Sequence, residues 1–317
     1  MGSDLKYSRL KRKTKKYAVL IFQYILLAGL AYVIIYPLIY KIFSVFMSRS
    51  DIYNPTVFLI PQEPTLDNLI KIVTFDGYIK SYLNTIGLSV LCALLQTISC
   101  ALVAYGFARY NFRFKNFIFA LVIFTMIIPP QVLSIPLYFK FLDFDIGMMG
   151  GGILHFIFGK GIPMLDTLFP NTILSVTALA FKNALYIFML RQFFMGVPIE
   201  LTEAATVDGA GQLTIFARVI LPLAGPMLTT ILIFAVSWQW TDSFYSGIFF
   251  TDYPVMSTIV NKISVNMGYA SFDIGGTKPA AIAMNAAAFL ILVPLIIMYL
   301  FAQKRFIQGI ENSGIVG

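Results

Sequence analysis

The fold of this 317-residue chain is organised around the polar stretch Glu200-Leu201-Thr202-Glu203-Ala204-Ala205-Thr206-Val207-Asp208-Gly209-Ala210-Gly211, which continues to Leu221-Pro222. It lies between two strongly apolar runs. Glu200 and Glu203 come early, where carboxylates complement the positive end of a helix. Gly209 supplies a stop or bend, and Pro222 interrupts the apolar pattern that follows. The stretch predicts a short helix, a glycine bend and a second helix at a membrane surface, a shape suited to being gripped by another protein.

The composition is that of an integral membrane protein, with 58% hydrophobic and 12% charged residues. Soluble domains are about a quarter charged, so much of this surface must face lipid. The net charge of +8 is concentrated at the N-terminus. Such a run could bind nucleic acid, but directly before an apolar span it is typical of a cytoplasmic anchor. We predict membrane lipid, and no nucleic acid, among the partners. The basic residues of this run are Lys6, Arg9, Lys11, Arg12, Lys13, Lys15 and Lys16.

Apolar runs long enough to cross a bilayer recur along the chain, since a helical span needs about 20 apolar residues. The third run contains Pro129-Pro130 and Pro136, and proline inside a helix costs about 3 kcal/mol, so we expect a broken or kinked helix there. The predicted fold class is an all-α polytopic membrane protein with six transmembrane helices. The spans cover residues 18–46, 81–108, 117–141, 168–194, 223–240 and 279–302.

The distribution of lysine and arginine predicts the orientation of these spans. Six spans place both termini on one side, and the basic segments 109–115, 191–218 and 304–305 fall on that same side. By the positive-inside rule, both termini are therefore predicted to be cytoplasmic. The domain boundaries that follow are a basic N-terminus (1–17), a six-span transmembrane domain (18–303) and a cytoplasmic tail (304–317).

The sequence lacks the patterns of common catalytic and metal sites. Gly159-Lys160 has no glycine five residues earlier and precedes glycine rather than serine or threonine, so it is not a phosphate-binding loop. A Ser-His-Asp arrangement would have to use His155 in a loop, and no further zinc ligands cluster near it in sequence. Cys92 and Cys100 lie in one apolar run and are predicted to be buried small side chains. We predict no catalytic, cofactor or metal site in this chain.

The spacing within the polar stretch resembles the cytoplasmic "EAA" signature of ABC importer permeases, EAA-x3-G-x9-I-x-L-P. Glu203-Ala204-Ala205 is followed after three residues by Gly209, and after nine more by Val219-Ile220-Leu221-Pro222. The one departure is Val219 in place of isoleucine. The tripeptide alone has little value, but the full spacing between the predicted fourth and fifth spans is specific.

Further segments resemble the carbohydrate-uptake branch of these permeases, and more narrowly its six-span, maltose-type "G" subunits. One part fits loosely, because Trp240-Thr241-Asp242-Ser243-Phe244 is one residue longer than the Trp-Asn-Asp/Glu-Phe of the family. The segments that carry the resemblance are Asn84-Thr85, Ala104-Tyr105-Gly106-Phe107-Ala108-Arg109, Ile128-Pro129-Pro130-Gln131, Ile135-Pro136-Leu137-Tyr138, Phe188-Met189-Leu190-Arg191-Gln192-Phe193-Phe194 and Lys304-Arg305-Phe306-Ile307-Gln308-Gly309-Ile310.

The resemblance implies a permease subunit that moves a sugar, such as an oligosaccharide or glycan fragment, across a prokaryotic inner or plasma membrane by alternating access. It implies three kinds of protein partner: a second, different permease subunit, two ATPase subunits that bind ATP and magnesium, and an extracellular or periplasmic sugar-binding protein. Loop 197–222 would carry a coupling helix that docks on an ATPase subunit. The coupling residues would be Glu200, Glu203, Ala204, Ala205, Asp208, Gly209, Leu221 and Pro222.

Polar groups inside the spans are candidates for the translocation path, because each is costly in lipid and tends to face a bundle interior. The alternative is interhelical hydrogen bonding, worth roughly 0.6–2 kcal/mol per pair. Trp238 and Trp240 would stack on a sugar ring or lie in the interfacial belt. Lys182 would snorkel, pair or act in transport. The candidate path residues are Asn84, Gln131, Asn183, Trp240 and Asn285.

A stand-alone secondary transporter or channel is the alternative function. That class works without an ATPase and carries ion or proton relays inside its spans. This chain has few carboxylates at mid-span, which favours the importer subunit.

Overall fold

The computed structural model describes residues 2–147, 152–260, 262–263 and 277–314, and the side chains of residues 16–147, 152–260, 262–263, 281–304 and 307. Regular structure in this part of the chain is helical, apart from one bridge between Phe144 and Ile162. This confirms the predicted all-α class. The side chains of the basic residues 6–15, and most of those in the predicted tail, lie outside the described residues.

The helices follow one another along the whole described chain. In order they are α1 (Gly2–Ser44), α2 (Arg49–Tyr53), α3 (Asp67–Val73), α4 (Tyr78–Arg109), α5 (Lys115–Phe124), α6 (Pro130–Leu142), α7 (Ile153–Phe158), α8 (Phe169–Val176), α9 (Asn183–Gly196), α10 (Glu200–Val207), α11 (Gln212–Ile215), a π-helical turn (Phe216–Ile220), α12 (Leu221–Leu223), α13 (Gly225–Thr241), α14 (Phe244–Phe249) and α15 (Thr277–Gly314).

Among the described residues, three helical segments are long and apolar enough to cross a membrane: Lys16–Ser44, Tyr78–Arg109 and Ala281–Lys304. The number rises to five if two bent pairs each count as one span. The pairs are α9 with α10, bent by 74°, and Gln212–Leu223 with α13, bent by 81°. A multi-pass membrane protein is therefore confirmed, and the count of six spans stays a prediction.

The predicted third span is broken as expected. Helix α5 ends at Phe124 and α6 begins at Pro130, with Pro129 in an extended conformation between them. The residue before a proline is disfavoured in the helical region, so the Pro129-Pro130 pair enforces the break.

The predicted fourth span, residues 168–194, also contains a break that the sequence did not predict, because residues 177–182 separate α8 from α9. Ala178 adopts a positive φ of 58°. In a continuous helix the carbonyl of Ser175 would accept the N–H of Leu179, but here it accepts the hydroxyl of Ser99 from α4 at 2.7 Å. The N–H of Leu179 instead bonds the carbonyl of Leu174 at 2.9 Å. A tertiary hydrogen bond thus takes an acceptor that the helix would need.

The chain divides into two compact units, of which the larger comprises Thr74–Lys262 and Ile291–Gly317. Its central element is α4, which packs against α8, α9 and α13. Small residues on α4 let the neighbouring helices approach closely, as is common in membrane proteins. Cys92 and Cys100 are buried free thiols, as predicted. The buried small residues of α4 in this core are Ala93, Cys100, Ala101 and Ala104, and they meet Tyr186, Leu190 and Phe194 of α9 and Met227 and Ile231 of α13.

The smaller unit comprises Met1–Val73 and Ile263–Leu290. The side-chain amide of Asn68 donates to the carbonyls of Val45 and Met47, both at 2.9 Å, and so holds the chain that follows α1. The amide of Asn285 in α15 donates to the hydroxyl of Ser44 at 3.0 Å. These bonds join the end of α1 to α15 within this unit.

His155 contacts two carboxylates that the sequence analysis did not single out. Its Nδ1 lies 2.9 Å from Asp145 and its Nε2 lies 3.2 Å from Asp143. Burial acts to raise the pKa of Asp145, but hydrogen bonds from the backbone N–H groups of Leu154 and His155 and from the His155 ring outweigh it and lower that pKa to about 2. Sequence distance hid this pairing, which the chain forms by turning back at Gly147. In the described part of the chain, no group of three or more such residues could hold a metal ion.

Asp166 joins two loops of the larger unit, and its replacement by asparagine is expected to loosen them. One carboxylate oxygen accepts the backbone N–H groups of Thr251, Asp252 and Tyr253 at 2.6, 2.8 and 3.3 Å. Burial acts to raise the pKa of Asp166, but these bonds hold it below the ordinary value of 3.8. Asparagine keeps a hydrogen-bond acceptor and tolerates the positive φ of 58° at this position, so the substitution removes the negative charge and little else. The expected loss of stability is about 1 kcal/mol.

The measurement for this variant is thermal unfolding of the purified protein at several pH values. Because the pKa of Asp166 is lowered in the folded state, its charge contributes fully to the free energy of unfolding above the ordinary carboxyl pKa. That contribution is lost as the pH falls through the lower pKa of the folded state. The difference between wild type and Asp166→Asn should therefore be full at pH 7 and shrink below about pH 4. A difference that does not change with pH would contradict the assignment.

Candidate functional site

Helix α10 forms as its sequence predicts, and its C-terminal end is capped by local backbone hydrogen bonds. The carbonyl of Ile199 accepts the N–H groups of Thr202 and Glu203 at 2.9 and 3.1 Å, and both glutamates lie in the first turn. At the other end Gly209 has a φ of 80° and donates its N–H to the carbonyl of Thr206 at 3.0 Å. The N–H of Ala210 donates to the carbonyl of Ala205 at 3.0 Å. This pair of bonds is a Schellman motif, and it confirms the predicted bend.

The inner side of α10 rests on a rigid support in the larger unit. The guanidinium of Arg109 at the end of α4 donates to the carbonyl of Val197, just before α10. The hydroxyl of Tyr110 donates to the side-chain oxygen of Gln212 at 3.0 Å, just after it. Ala205 and Ala210 pack against a buried cluster that includes Tyr105, Phe194 and Phe216, and the rings of Phe194 and Phe216 lie 5.9 and 4.9 Å from that of Tyr105. The position of α10 is thus coupled to α4 and α9.

The outer side of α10 is uncovered. In the described part of the chain, the carboxylate of Glu203 has no hydrogen bond or ion pair. Val207 is 88% exposed and Leu201 is 42% exposed. Of the predicted coupling residues, Ala205 and Leu221 are half-buried and pack on the core, so they support the helix rather than present a surface. The exposed ones are Glu200, Glu203, Ala204, Asp208, Gly209 and Pro222.

The return from α10 into α13 is shaped by proline. Pro222 has no N–H to donate to the carbonyl of Arg218, and the N–H of Leu221 bonds the carbonyl of Phe216, five residues back. The result is the π-helical turn, an element that often occurs at functional sites. Around this turn Ile215, Phe216 and Ile220 are buried, while Leu213 is 78% exposed.

Replacing Gly209 by alanine is expected to weaken the end of α10. A Cβ at this position would meet no atom within 4 Å, so the only cost is the left-handed backbone, about 1 kcal/mol. Hydrogen exchange should show faster opening of residues 200–210, with α4 unchanged. Gly211→Ala is the matched control, since it has an ordinary φ of −70° and the same open surroundings. Equal effects of the two substitutions would contradict the role of the αL conformation.

A second candidate site is a cavity of about 260 Å³ within the larger unit. Both breaks in the predicted spans border it, because Pro130 opens α6 and residues 180–182 precede α9. Irregular backbone at membrane depth is tolerated where it is buried in protein or lines a cavity. The polar side chains in its wall are Gln96, Asn171, Ser175, Lys182, Tyr186, Gln239, Thr241, Asp242, Ser243 and Tyr245.

None of the five predicted path residues lines this cavity. The side-chain amide of Asn84 donates to the carbonyl of Pro254 at 2.9 Å. The indole N–H of Trp240 donates to the carbonyl of Ile291 at 3.0 Å. Asn285 bonds Ser44 in the smaller unit, as described above. Gln131 is exposed. Asn183 is fully buried, and neither polar atom of its side chain has a hydrogen-bond partner. The bonds of Asn84, Trp240 and Asn285 fit the alternative of structural hydrogen bonding.

The sequence pattern missed most of the cavity wall. Trp238 lines the cavity and Trp240, two residues on, does not. The sequence showed Lys182 as a charged residue in the middle of an apolar run. It did not show the break after α8, which places Lys182 in the wall of the cavity. Asn171 and Asp242 carried no comparable signal.

Comparison with protein-family models matches residues 97–312, more than half of the chain, to the family described as "Binding-protein-dependent transport system inner membrane component". The chain belongs to this family. Members of this family are membrane-embedded permease components of ABC importers, so the resemblance derived from the spacing of Glu203 to Pro222 is confirmed.

Two relatives and one solved structure show how far the similarity of this permease extends. It is 26% identical to the arabinooligosaccharides transport system permease protein AraQ of Halalkalibacterium halodurans, over 97% of this chain and 100% of that protein. It is 32% identical to the melibiose/raffinose/stachyose import permease protein MelC of Bacillus subtilis, over 75% of this chain and 76% of that protein. The crystal structure of a bacterial ABC transporter that imports the acidic polysaccharide alginate matches with a TM-score of 0.71 and 23% identity, over 90% of this chain and 95% of that chain. The match to the alginate transporter structure shows that this chain has the same fold as that transporter chain.

Proposed function

We propose that this permease is one subunit of an ATP-driven importer that carries an oligosaccharide or glycan fragment across a prokaryotic cell membrane. The observation that carries the proposal is α10, a short helix in a member of the importer family. Its inner side packs on the core, and the exposed carboxylate of Glu203 has no partner among the described residues. The relatives AraQ and MelC are named as transporters of oligosaccharides, which supports a sugar cargo.

The partners in this proposal follow from what the chain lacks and what it exposes. Two ATPase subunits bind ATP and magnesium and hydrolyse the nucleotide, since this sequence has no phosphate-binding loop. A second, different permease subunit completes the path, and a sugar-binding protein delivers the cargo from outside. Both termini lie in the cytoplasm, on the side of α10. The permease itself binds no cofactor and no metal.

Coupling in this proposal is a rigid-body displacement. An ATPase subunit grips the exposed face of α10 by Glu200, Glu203 and Asp208, and moves as it binds and hydrolyses ATP. The motion reaches the membrane through α9 and α13, which leave the coupling loop at sharp bends, and through α4, whose Arg109 holds the loop. Alternating access then requires only that the closed ATPase dimer favour one of two permease conformations. The polar cavity between α4, α8, α9 and α13 is the section of the path that this subunit supplies.

The test is uptake of labelled oligosaccharides into proteoliposomes that contain the permease, its companion permease and the ATPase subunits, with the binding protein outside. Uptake should require ATP and all subunits. The alternative, a secondary transporter, predicts uptake by this chain alone under an ion gradient without ATP. That outcome, or ATP-driven uptake of amino acids or metal ions but of no sugar, would overturn the proposal.

A further inference from the structure

Lys182 places a positive charge in the wall of the 260 Å³ cavity. It precedes α9 at the break in the predicted fourth span. Its Nζ lies 4.2 Å from the ring centroid of Phe181 and 4.1 Å from that of Trp238. The two rings therefore hold the ammonium group in place beside the cavity.

In the described part of the chain, the side chain of Lys182 has no ion pair within 4 Å. The wall contains the carboxylate of Asp242, but that group accepts the backbone N–H groups of Tyr245 and Ser246 at 3.2 and 2.8 Å and the hydroxyl of Ser246 at 3.0 Å. Asp242 thus caps α14, and three hydrogen bonds to that helix use most of its acceptor sites.

An unpaired charge of this kind is expensive at membrane depth. A lysine at the centre of a helical span costs about 2.5–3.5 kcal/mol on insertion scales. Cation–π contacts offset roughly 0.5–2 kcal/mol of this cost. They do not neutralise the positive charge, and they leave the three N–H donors of the ammonium group able to bind a ligand. Charged groups inside spans characteristically mark a substrate path.

The rest of the wall has polar capacity that the protein itself does not use. The side-chain nitrogens of Asn171 and Gln239 and the hydroxyl of Tyr186 are buried and have no hydrogen-bond partner among the described residues. The aromatic rings of Phe181, Trp238 and Phe244 border the same cavity. Within the described part of the chain, a wall of aromatic faces, hydrogen-bonding groups without a protein partner and the ammonium group of Lys182 fits a polyhydroxylated ring that bears an anion.

We propose that this cavity accepts an acidic sugar residue, whose carboxylate pairs with Lys182. The inference rests on the proposed function and deepens it: the cargo is an oligosaccharide that contains uronic acid rather than a neutral one. The cavity is small for a ligand pocket, so it holds part of the chain of sugars at a time.

The experiment compares uptake of three probes by the assembled importer: trigalacturonate, its methyl ester, and neutral galactotriose of the same linkage. Wild type should import trigalacturonate at least about 10-fold faster than the methyl ester, which lacks the charge. Lys182→Met should lower the ratio of acidic to neutral uptake at least about 10-fold, and Lys182→Arg should restore most of it. Lys80→Met removes an exposed lysine that does not line the cavity, and its ratio should equal that of wild type.

The outcomes separate this inference from the proposed function. Import of neutral sugar with exclusion of trigalacturonate, or an unchanged ratio in Lys182→Met, overturns the acidic-sugar inference and leaves the importer intact. Uptake of none of the sugars by wild type overturns both. If Lys182→Met does not assemble, the wild-type preference between trigalacturonate and its ester, and the ratio in Lys182→Arg, decide the matter.

Discussion

Replacement of Glu203 by lysine is expected to abolish ATP-driven uptake by the importer while leaving this chain folded. Glu203 is exposed and has no partner in the described part of the chain, so the change should alter stability by no more than about 0.5 kcal/mol. In the complex, the carboxylate is proposed to face a basic group of the ATPase subunit. Lysine there would juxtapose like charges, which costs several kcal/mol, so we expect the affinity for the ATPase to fall by about 100-fold or more.

The measurement is co-purification of the ATPase with the tagged permease, together with sugar-stimulated ATP hydrolysis. Asp252→Lys is the matched control, because Asp252 is also an exposed carboxylate without a side-chain partner, in a loop far along the chain from α10. The control should retain the ATPase. A Glu203→Lys complex that assembles and transports like wild type would show that α10 does not dock through this residue.

Replacement of Ala104 by leucine is expected to prevent close packing of the core of the larger unit. Ala104 is fully buried on α4, in the cluster formed with α9 and α13. Added side-chain volume in a packed core costs about 1–3 kcal/mol, and at a membrane helix interface small residues set the distance between the helices. The same cluster supports Ala205 and Ala210, so separation of the helices would also displace α10.

Thermal unfolding of the detergent-solubilised importer measures this effect, with yield of monodisperse protein as a second readout. Ala28→Leu is the control, because Ala28 is exposed on α1 and leucine there faces the surroundings rather than a neighbouring helix. The control should unfold at the wild-type temperature. An Ala104→Leu variant as stable as wild type would mean that the α4 interface has room for three more carbon atoms.

The features that local sequence predicted correctly are those that local chemistry decides. Helix α10 and its bend follow from early carboxylates, a glycine able to adopt a φ of 80°, and a proline at the return. The break before α6 follows from Pro129-Pro130, because proline restricts its own backbone and that of the residue before it. The membrane class follows from composition alone, since lipid is the only solvent for so much apolar surface.

The features that sequence missed depend on partners far along the chain. The break after α8 contains neither glycine nor proline, and it forms because Ser99 takes the carbonyl of Ser175, 76 residues away. The position of His155 between two aspartates likewise requires the loop to fold back. No local pattern encodes such competition for a hydrogen-bond acceptor.

By itself, the sequence determined that this chain is an all-α membrane permease with a short helix and a bend in the loop 197–222, because hydropathy, turn chemistry and motif spacing act over a few residues. Only the tertiary structure decided which polar groups meet at a cavity. Trp240 and Asn84 satisfy their hydrogen bonds within the protein, whereas Lys182 and Trp238 meet at the cavity wall. The physical reason is that a polar side chain in a membrane helix needs a partner away from lipid, and only its neighbours in space determine whether the protein or a ligand provides that partner.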